Sequence, residues 1–370
     1  MTGIAPPIVF PPVVPPATIG ILGTGPTTRY FEHAAQETGY RTLVLDPNVA
    51  KKVLLKAASE CAVITIVDHL PVAAMRTVAT KMRVHPSPDT VEMCMDRVRV
   101  KQFLDDLGVG VGPHMLIESD DDIAAAADTK FSAILKLRNH GGGRTGQVRV
   151  AAYTQLRDAW ETLGRRPCVL EQRLTLGREL AITVARTAEG RVATFAASQQ
   201  QYVHGRLEIS YAPASLLGSG QADAAELGVY IASELGIVGV LSVHMFVVGR
   251  EVYVHELIPQ PNALALFTLD SCRTDQYEQQ LRAVCGLALG DPQMTVSGIA
   301  VVGLPGELWA EGEPKWERIL TDSTVHLHRY SGNGDEPTDL EIRGHLAACS
   351  GTAAGSTSVV RRLRKQLNSG

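Results

Sequence analysis

Residues 132–152 read SAILKLRNHGGGRTGQVRVAA. An apolar run closes on Lys136 and Leu137, a basic and glycine-laden stretch follows, and apolar alternation resumes at Gln147. The pattern predicts two short strands joined by a loop. Glycines let a backbone approach an anion and basic side chains neutralise it, so the loop has the makings of a lid over a phosphate. Lys136 stands inside the apolar strand, where an unpaired ammonium costs several kcal/mol. An anionic partner is therefore expected, and a phosphate or a carboxylate fits that role.

Working outward, SPDTVEMCMDRVRVKQFLDDLGVGVGPHML (87–116) predicts two helical pieces ended by glycines, and DDDIAAAADT (120–129) a further helix. Downstream, YTQLRDAWETLG (153–164) reads as a helix and CVLEQRL (168–174) as a strand. The alternation describes a small α+β unit. Glu171 closes that strand and Glu179 opens the next. As a pair they suit an adenine amine and a ribose hydroxyl; singly, each is an ordinary solvated strand-end carboxylate.

At the N-terminal side, TIGILGTGPTTRYFEHAAQETGYRTLVLDP (18–47) is a βαβ unit of a parallel sheet. Gly23 and Gly25 begin a dinucleotide fingerprint, but Thr28 stands where its third glycine belongs, so a tight strand-to-helix turn explains them equally. Asp46, at the end of the second strand, is placed either to bind a ribose or to cap its own turn. Beyond Arg178 the chain is strand-rich. GVLSVHMFVV (239–248) and EVYVHEL (251–257) form a hairpin around Gly249 that brings His244, His255 and Glu256 into one ladder, to hold a divalent ion or to satisfy one another. Residues 297–370 read as another strand-rich piece with a polar, mobile end.

Composition narrows the classes. The 370 residues carry a formal charge of −4 and are 45% apolar, which supports real cores and offers no basic surplus for nucleic acid. No run is long enough for a membrane span. Six cysteines without a CxxC pair fit a reducing cytoplasm. The opening MTGIAPPIVFPPVVPP contains six prolines and no basic start, so it reads as an extended tail and not as a signal helix.

ILGTGPTTRYFEHAAQETGYRTLVLDP, HPSPDTVEMCMDRVRVKQFLDDLGV, ILKLRN with GQV, VLEQRLTLGRELAITVART, GIVGVLSVHMFVVGREVYVHELIPQP, YEQQLRAVCGLALG and the Gly344-His345 pair together resemble the N5-carboxyaminoimidazole ribonucleotide synthase family. The likeness runs from about residue 18 to about 350 with the segment order intact. It implies an ATP-grasp fold of α/β and α+β character, with an N-terminal parallel-sheet pre-ATP domain, a central lid domain and a C-terminal mixed-sheet domain. The expected divisions are a proline-rich tail (1–17), the pre-ATP βαβ domain (18–90), linker helices and lid (91–170), the ATP-grasp core (171–296) and a C-terminal extension (297–370). A homodimer is also implied.

The activity implied is ATP-dependent activation of bicarbonate, through carboxyphosphate, and transfer of the carboxyl to an amine. By position, Arg97 and Lys101 match the basic pair before the lid, and Lys136 the phosphate-contacting lysine. Glu171 and Glu179 match the adenine-side and ribose-side acids, Gly146 and Gln147 the end of the lid loop, and Glu256 one of two magnesium-binding glutamates. The other metal acid is His244 here. An imidazole in place of a hard carboxylate predicts a weakened Mg²⁺ site. His255 replaces an asparagine, and QPNALAL (260–266) replaces a polar stretch near the transferred phosphate.

Substrate-facing positions depart further. Gly142 and Thr145 stand at an aromatic and a basic position of the lid, with Arg144 close enough to compensate as a catalytic cation beside Lys136. Tyr330 and Glu341 stand where basic residues hold the ribonucleotide phosphate. Gly25, Arg29 and Asp68 are kept from the substrate turns, and Arg343 is a nearby replacement cation. Three functions fit this pattern: a ligase joining another carboxylate and amine, a genuine purine-pathway synthase, and a nucleotide-binding relative without catalysis.

Overall fold

A computed structural model describes residues 11–68, 72–129, 132–139, 146–174, 177–203, 205–216, 218–330 and 342–368. In chain order the first elements are β1 (Thr18–Leu22), α1 (Thr28–Glu37), β2 (Arg41–Leu45), α2 (Lys51–Ala58), β3 (Val63–Thr65), α3 (Val72–Ala79), β4 (Val84–His85) and α4 (Pro88–Met95). Next come α5 (Arg97–Asp106), β5 (His114–Ile117), α6 (Asp120–Ala125), β6 (Ala133–Leu137), β7 (Gln147–Val150), α7 (Leu156–Thr162) and β8 (Cys168–Gln172). The strand-rich part contains β9 (Arg178–Arg186), β10 (Val192–Thr194), β11 (Ser198–Val203), β12 (Arg206–Ala212), α8 (Gly220–Leu235), β13 (Gly239–Val248) and β14 (Glu251–Ile258). The chain closes with α9 (Thr268–Ser271), α10 (Gln276–Cys285), β15 (Ile299–Pro305), β16 (Val325–Arg329), β17 (Ile342–Ala348) and α11 (Ala353–Asn368).

The chain forms two compact units, one of residues 1–90, 180–242 and 258–370, the other of residues 91–179 and 243–257. The first holds a parallel sheet in the order β2-β1-β3-β4. Strands of such a sheet are buried on both faces, which is why Ile19, Ile21, Val63 and Ile64 are fully enclosed. Gly20 is needed there, because a Cβ at that position would stand 2.8 Å from the Ile64 side chain. A larger sheet in the same unit runs β9-β11-β12-β15-β17-β16, antiparallel from β11 onward. Phe31, Phe267 and Tyr277 anchor a core shared by α1, α10 and the strands.

Two terminal expectations change. Of the proline-rich tail, residues 1–10 lie outside the described residues, but 11–17 are tied down: the Val13 amide donates to the Cys285 carbonyl at 2.8 Å, and the Tyr40 hydroxyl donates to the Val13 carbonyl at 2.7 Å. The polar C-terminal end is the helix α11, whose Val360 and Leu363 pack with Val302, Leu304 and Leu346 of the sheet. Its charged residues are the solvent face of an amphipathic helix.

The second unit is built on an antiparallel sheet in the order β5-β8-β6-β7. Helices α6 and α7 contribute Ile123, Leu156 and Trp160 to its core. The end of β13 and most of β14 complete this unit, and Gly110 is required beside them because a Cβ would meet the Val252 carbonyl at 2.8 Å.

Candidate functional site

Register places the first group of candidates. Ile134 of β6 pairs with Glu171 of β8, so Lys136, two residues on, is a diagonal neighbour of Glu171 on the same sheet face. Its ammonium lies 2.6 Å from Glu171 Oε2, and Lys101 of α5 reaches Oε1 of the same carboxylate at 3.0 Å. Both lysines are buried, Lys101 3% and Lys136 7% exposed. Burial alone would raise the Glu171 carboxyl, but the Lys136 and Lys101 charges outweigh it and hold it well below the ordinary range. His255 Nε2 is 3.4 Å from Lys136 Nζ, and burial together with the lysine charge keeps that imidazole neutral. Two ammoniums face one carboxylate, so this triad is locally one positive charge in excess, and the His244, Glu179 and Glu256 group beside His255 is one negative charge in excess. A local excess of positive charge suits an anion.

The second group lies on the hairpin. His244 is 3% exposed, with Nε2 3.4 Å from Glu179 Oε2 and Nδ1 3.4 Å from Glu256 Oε1. Burial would lower its pKa, but the Glu179 and Glu256 carboxylates on either side prevail and raise it to about 9. At neutral pH it is therefore an imidazolium held by two carboxylates. That donor set does not fit a two-carboxylate magnesium clamp, because the ring supplies its own cation between the acids that would bind the ion. His255 stands edge-on to His244, with ring centroids 5.4 Å apart.

Helix α5 presents Lys101 because its start is fixed. The Asp96 side chain accepts from the Val98 and Arg99 amides at 3.0 and 3.2 Å, an N-cap, and also takes a forked contact from Arg138, with Nε 3.0 Å from each carboxylate oxygen. Arg97 donates through Nε to the Leu137 carbonyl at 3.1 Å, and its amide donates to the Arg138 carbonyl at 2.9 Å. The start of α5 is thus stitched to the end of β6. Sequence reading missed Asp96 and its pairing with Arg138, although an acid directly before a basic helix is an N-cap signal. Gln147 pairs with Lys136 in the β6–β7 ladder, and Gly146 precedes it beside Leu137. Gly142, Arg144 and Thr145 lie outside the described residues, as does Glu341.

In the first unit, Gly25 and Asp68 do come together. The Asp68 carboxylate accepts from the Thr27 and Thr28 hydroxyls at 3.2 and 2.9 Å, and a Cβ on Gly25 would stand 2.2 Å from its carboxyl carbon. This arrangement secures the start of α1. Arg29 donates to the Arg329 carbonyl and stacks on Tyr30 at 5.2 Å, whereas the Arg343 guanidinium sits over Trp309 at 5.9 Å. Asp46 accepts from the Asn48 amide at 2.8 Å, which is the turn-capping alternative. All six cysteines are free. Among the described residues no helix is long and apolar enough to cross a membrane.

Comparison with known proteins bears on the fold and the family. Residues 102–277 match the ATP-grasp domain. The chain is 30% identical over 338 residues to N5-carboxyaminoimidazole ribonucleotide synthase of Brucella melitensis, covering 85% of this chain and 92% of the relative. It is 29% identical over 376 residues to the bifunctional purine synthesis protein purC/E of Dictyostelium discoideum, covering 90% of this chain but only 37% of that longer protein. The crystal structure of N5-carboxyaminoimidazole ribonucleotide synthetase from Thermus thermophilus superposes with a TM-score of 0.83 at 26% identity, covering 95% of this chain and 99% of the other. The chain belongs to the N5-carboxyaminoimidazole ribonucleotide synthase family and is an ATP-dependent, ligase-type enzyme with the ATP-grasp fold.

Proposed function

We propose that the enzyme activates a carboxylate, bicarbonate included, as an acyl phosphate and transfers it to an amine other than aminoimidazole ribonucleotide. ATP is the phosphoryl donor in this reading. Lys101 and Lys136 hold its phosphates, with Glu171 fixing both ammoniums in place. Arg97, Gly146 and Gln147 shape the same pocket, and Arg144, outside the described residues, is the further cation that the resemblance implies. A carboxylate oxygen attacks the γ-phosphorus and ADP leaves. The amine nitrogen then attacks the carboxyl carbon, phosphate departs, and the nitrogen loses its proton. Glu179 and Glu256 are engaged by His244, so a magnesium ion is expected to bind weakly and no step is assigned to it here. Assembly as a homodimer is part of the same proposal.

The observation that carries the altered acceptor is Tyr330. Where the resemblance implies a basic residue for the ribonucleotide phosphate, this chain has a phenol whose hydroxyl lies 2.9 Å from His345 Nδ1. A missing charge-assisted phosphate contact is worth roughly 1.5–3 kcal/mol. The second reading is the purine-pathway synthase itself, favoured by the names of the curated relatives. The two are separated by supplying the purified protein with ATP, Mg²⁺ and bicarbonate and following phosphate release with aminoimidazole ribonucleotide or with a panel of other amines, against a no-acceptor control. The expected result is little release with aminoimidazole ribonucleotide and clear release with another amine. Release with aminoimidazole ribonucleotide at about one per second or faster restores the purine reading. Silence with every acceptor leaves a nucleotide-binding relative without catalysis.

A further inference from the structure

The first unit contains a histidine cluster to which no step of the proposed reaction is assigned, although His345 touches Tyr330. β16 carries His326 and His328 two residues apart, hence on one face of the strand, and His328 pairs directly with His345 of β17. Asp270 of α9 approaches the same face: its Oδ2 is 2.8 Å from His328 Nε2 and its Oδ1 3.4 Å from His326 Nδ1. One ligand atom from each of Asp270, His328 and His345 lies within 4.8 Å of the others. We propose that Asp270, His328 and His345 form a binding site for a divalent transition metal of the zinc class, with His326 at its rim as a fourth donor.

Three observations carry the assignment. The donors are imidazole nitrogens and a carboxylate oxygen, the mixture that favours zinc or cobalt over calcium or magnesium. His345 is only 1% exposed, and its Nε2 has no hydrogen-bond partner among the described residues. An orphaned buried nitrogen costs about 1–3 kcal/mol, a cost that a simple Asp270–His328 ion pair leaves in place and that a metal removes. The other nitrogen of His345, Nδ1, lies 2.9 Å from the Tyr330 hydroxyl. With Nδ1–H donating to that oxygen, the Nε2 lone pair is left for a metal, the outer-shell arrangement that orients ligating histidines.

The rings of His328 and His345 are stacked 4.3 Å apart with planes 12° from parallel. Ligand atoms of a tetrahedral zinc stand about 3.4 Å apart, so binding requires the ring of His328, which is more exposed than His345, to rotate out of the stack. Arg29 would oppose a cation, but it donates to the Arg329 carbonyl and lies over the Tyr30 ring. A metal there would pin α9 to the β16–β17 edge.

The full chain, stripped with a chelator, is titrated with Co²⁺ and read by visible absorption and by calorimetry, with Zn²⁺ added afterwards. The proposal expects one equivalent of Co²⁺ with ligand-field bands, displaced by Zn²⁺. Affinity falls at least about tenfold in His328→Phe, which keeps an aromatic ring against His345. His33→Gln, which alters an exposed histidine of α1 paired with Glu37, retains full binding. Absence of stoichiometric binding in the folded protein overturns the proposal. So does binding unchanged by His328→Phe, or binding lost only in His33→Gln.

Discussion

Lys136 carries the most information per residue in this chain. A lysine within an apolar strand announces an anion, and the structure supplies half the answer in Glu171, 2.6 Å away. Because Lys101 shares that carboxylate, the triad is locally one positive charge in excess, which supports the proposed phosphate contact. Lys136→Met keeps the apolar stem and deletes the charge. Its ATP affinity, measured by calorimetric titration, should fall about 10- to 150-fold, the equivalent of one charged hydrogen bond. Unchanged affinity in the folded variant removes the phosphate contact from the account.

His244 is legible in sequence as an imidazole at a metal-acid position, paired across a hairpin either to hold an ion or to satisfy its neighbours. Its contact with Glu256 follows from the hairpin, but Glu179 is 65 positions away in sequence, and nothing local announces that approach. The two acids raise its pKa to about 9 from an ordinary value of 6.5. A raised pKa contributes stability fully below the unfolded value and loses it as pH climbs through the folded one. Urea stability should therefore drop between about pH 7 and 10 by on the order of a few kcal/mol more in the native chain than in His244→Gln. Parallel pH profiles for the two proteins would show that the imidazolium is not held as described.

At the scale of elements, strands and the βαβ start were readable because apolar alternation and glycine turns are local signals. The C-terminal helix was not recognised, although Val359, Val360, Leu363 and Leu367 recur at helical spacing. Arg361, Arg362, Arg364 and Lys365 among them, read as a polar tail, belong to the solvent face of α11. Leu363 is 2% exposed within the cluster that includes Trp309 and Trp316. Leu363→Ala should cost about 2–5 kcal/mol, read by urea unfolding followed through tryptophan fluorescence. A cost near zero would mean that α11 does not contribute to this core. The cap at Asp96 was also missed, since its partner Arg138 lies 42 residues downstream and only the fold reveals the pair.

At the scale of the whole molecule, the ordered landmarks from residue 18 onward carried the family and the ATP-grasp fold, because their order survives even where single residues have changed. What the landmarks did not carry is the arrangement of particular residues: a histidine between two acids, and a tyrosine bonded to a histidine. In the proposed reaction a carboxylate is activated by phosphoryl transfer from ATP. The measurement that tests it most directly uses ¹⁸O-labelled carboxylate, bicarbonate first, with ATP and an accepting amine, and analyses the released phosphate by mass. Attack of the carboxylate oxygen on the γ-phosphorus, followed by amine attack on carbon, leaves one labelled oxygen in each phosphate. Phosphate released without label during turnover would show that water is the attacking group, and would contradict the account.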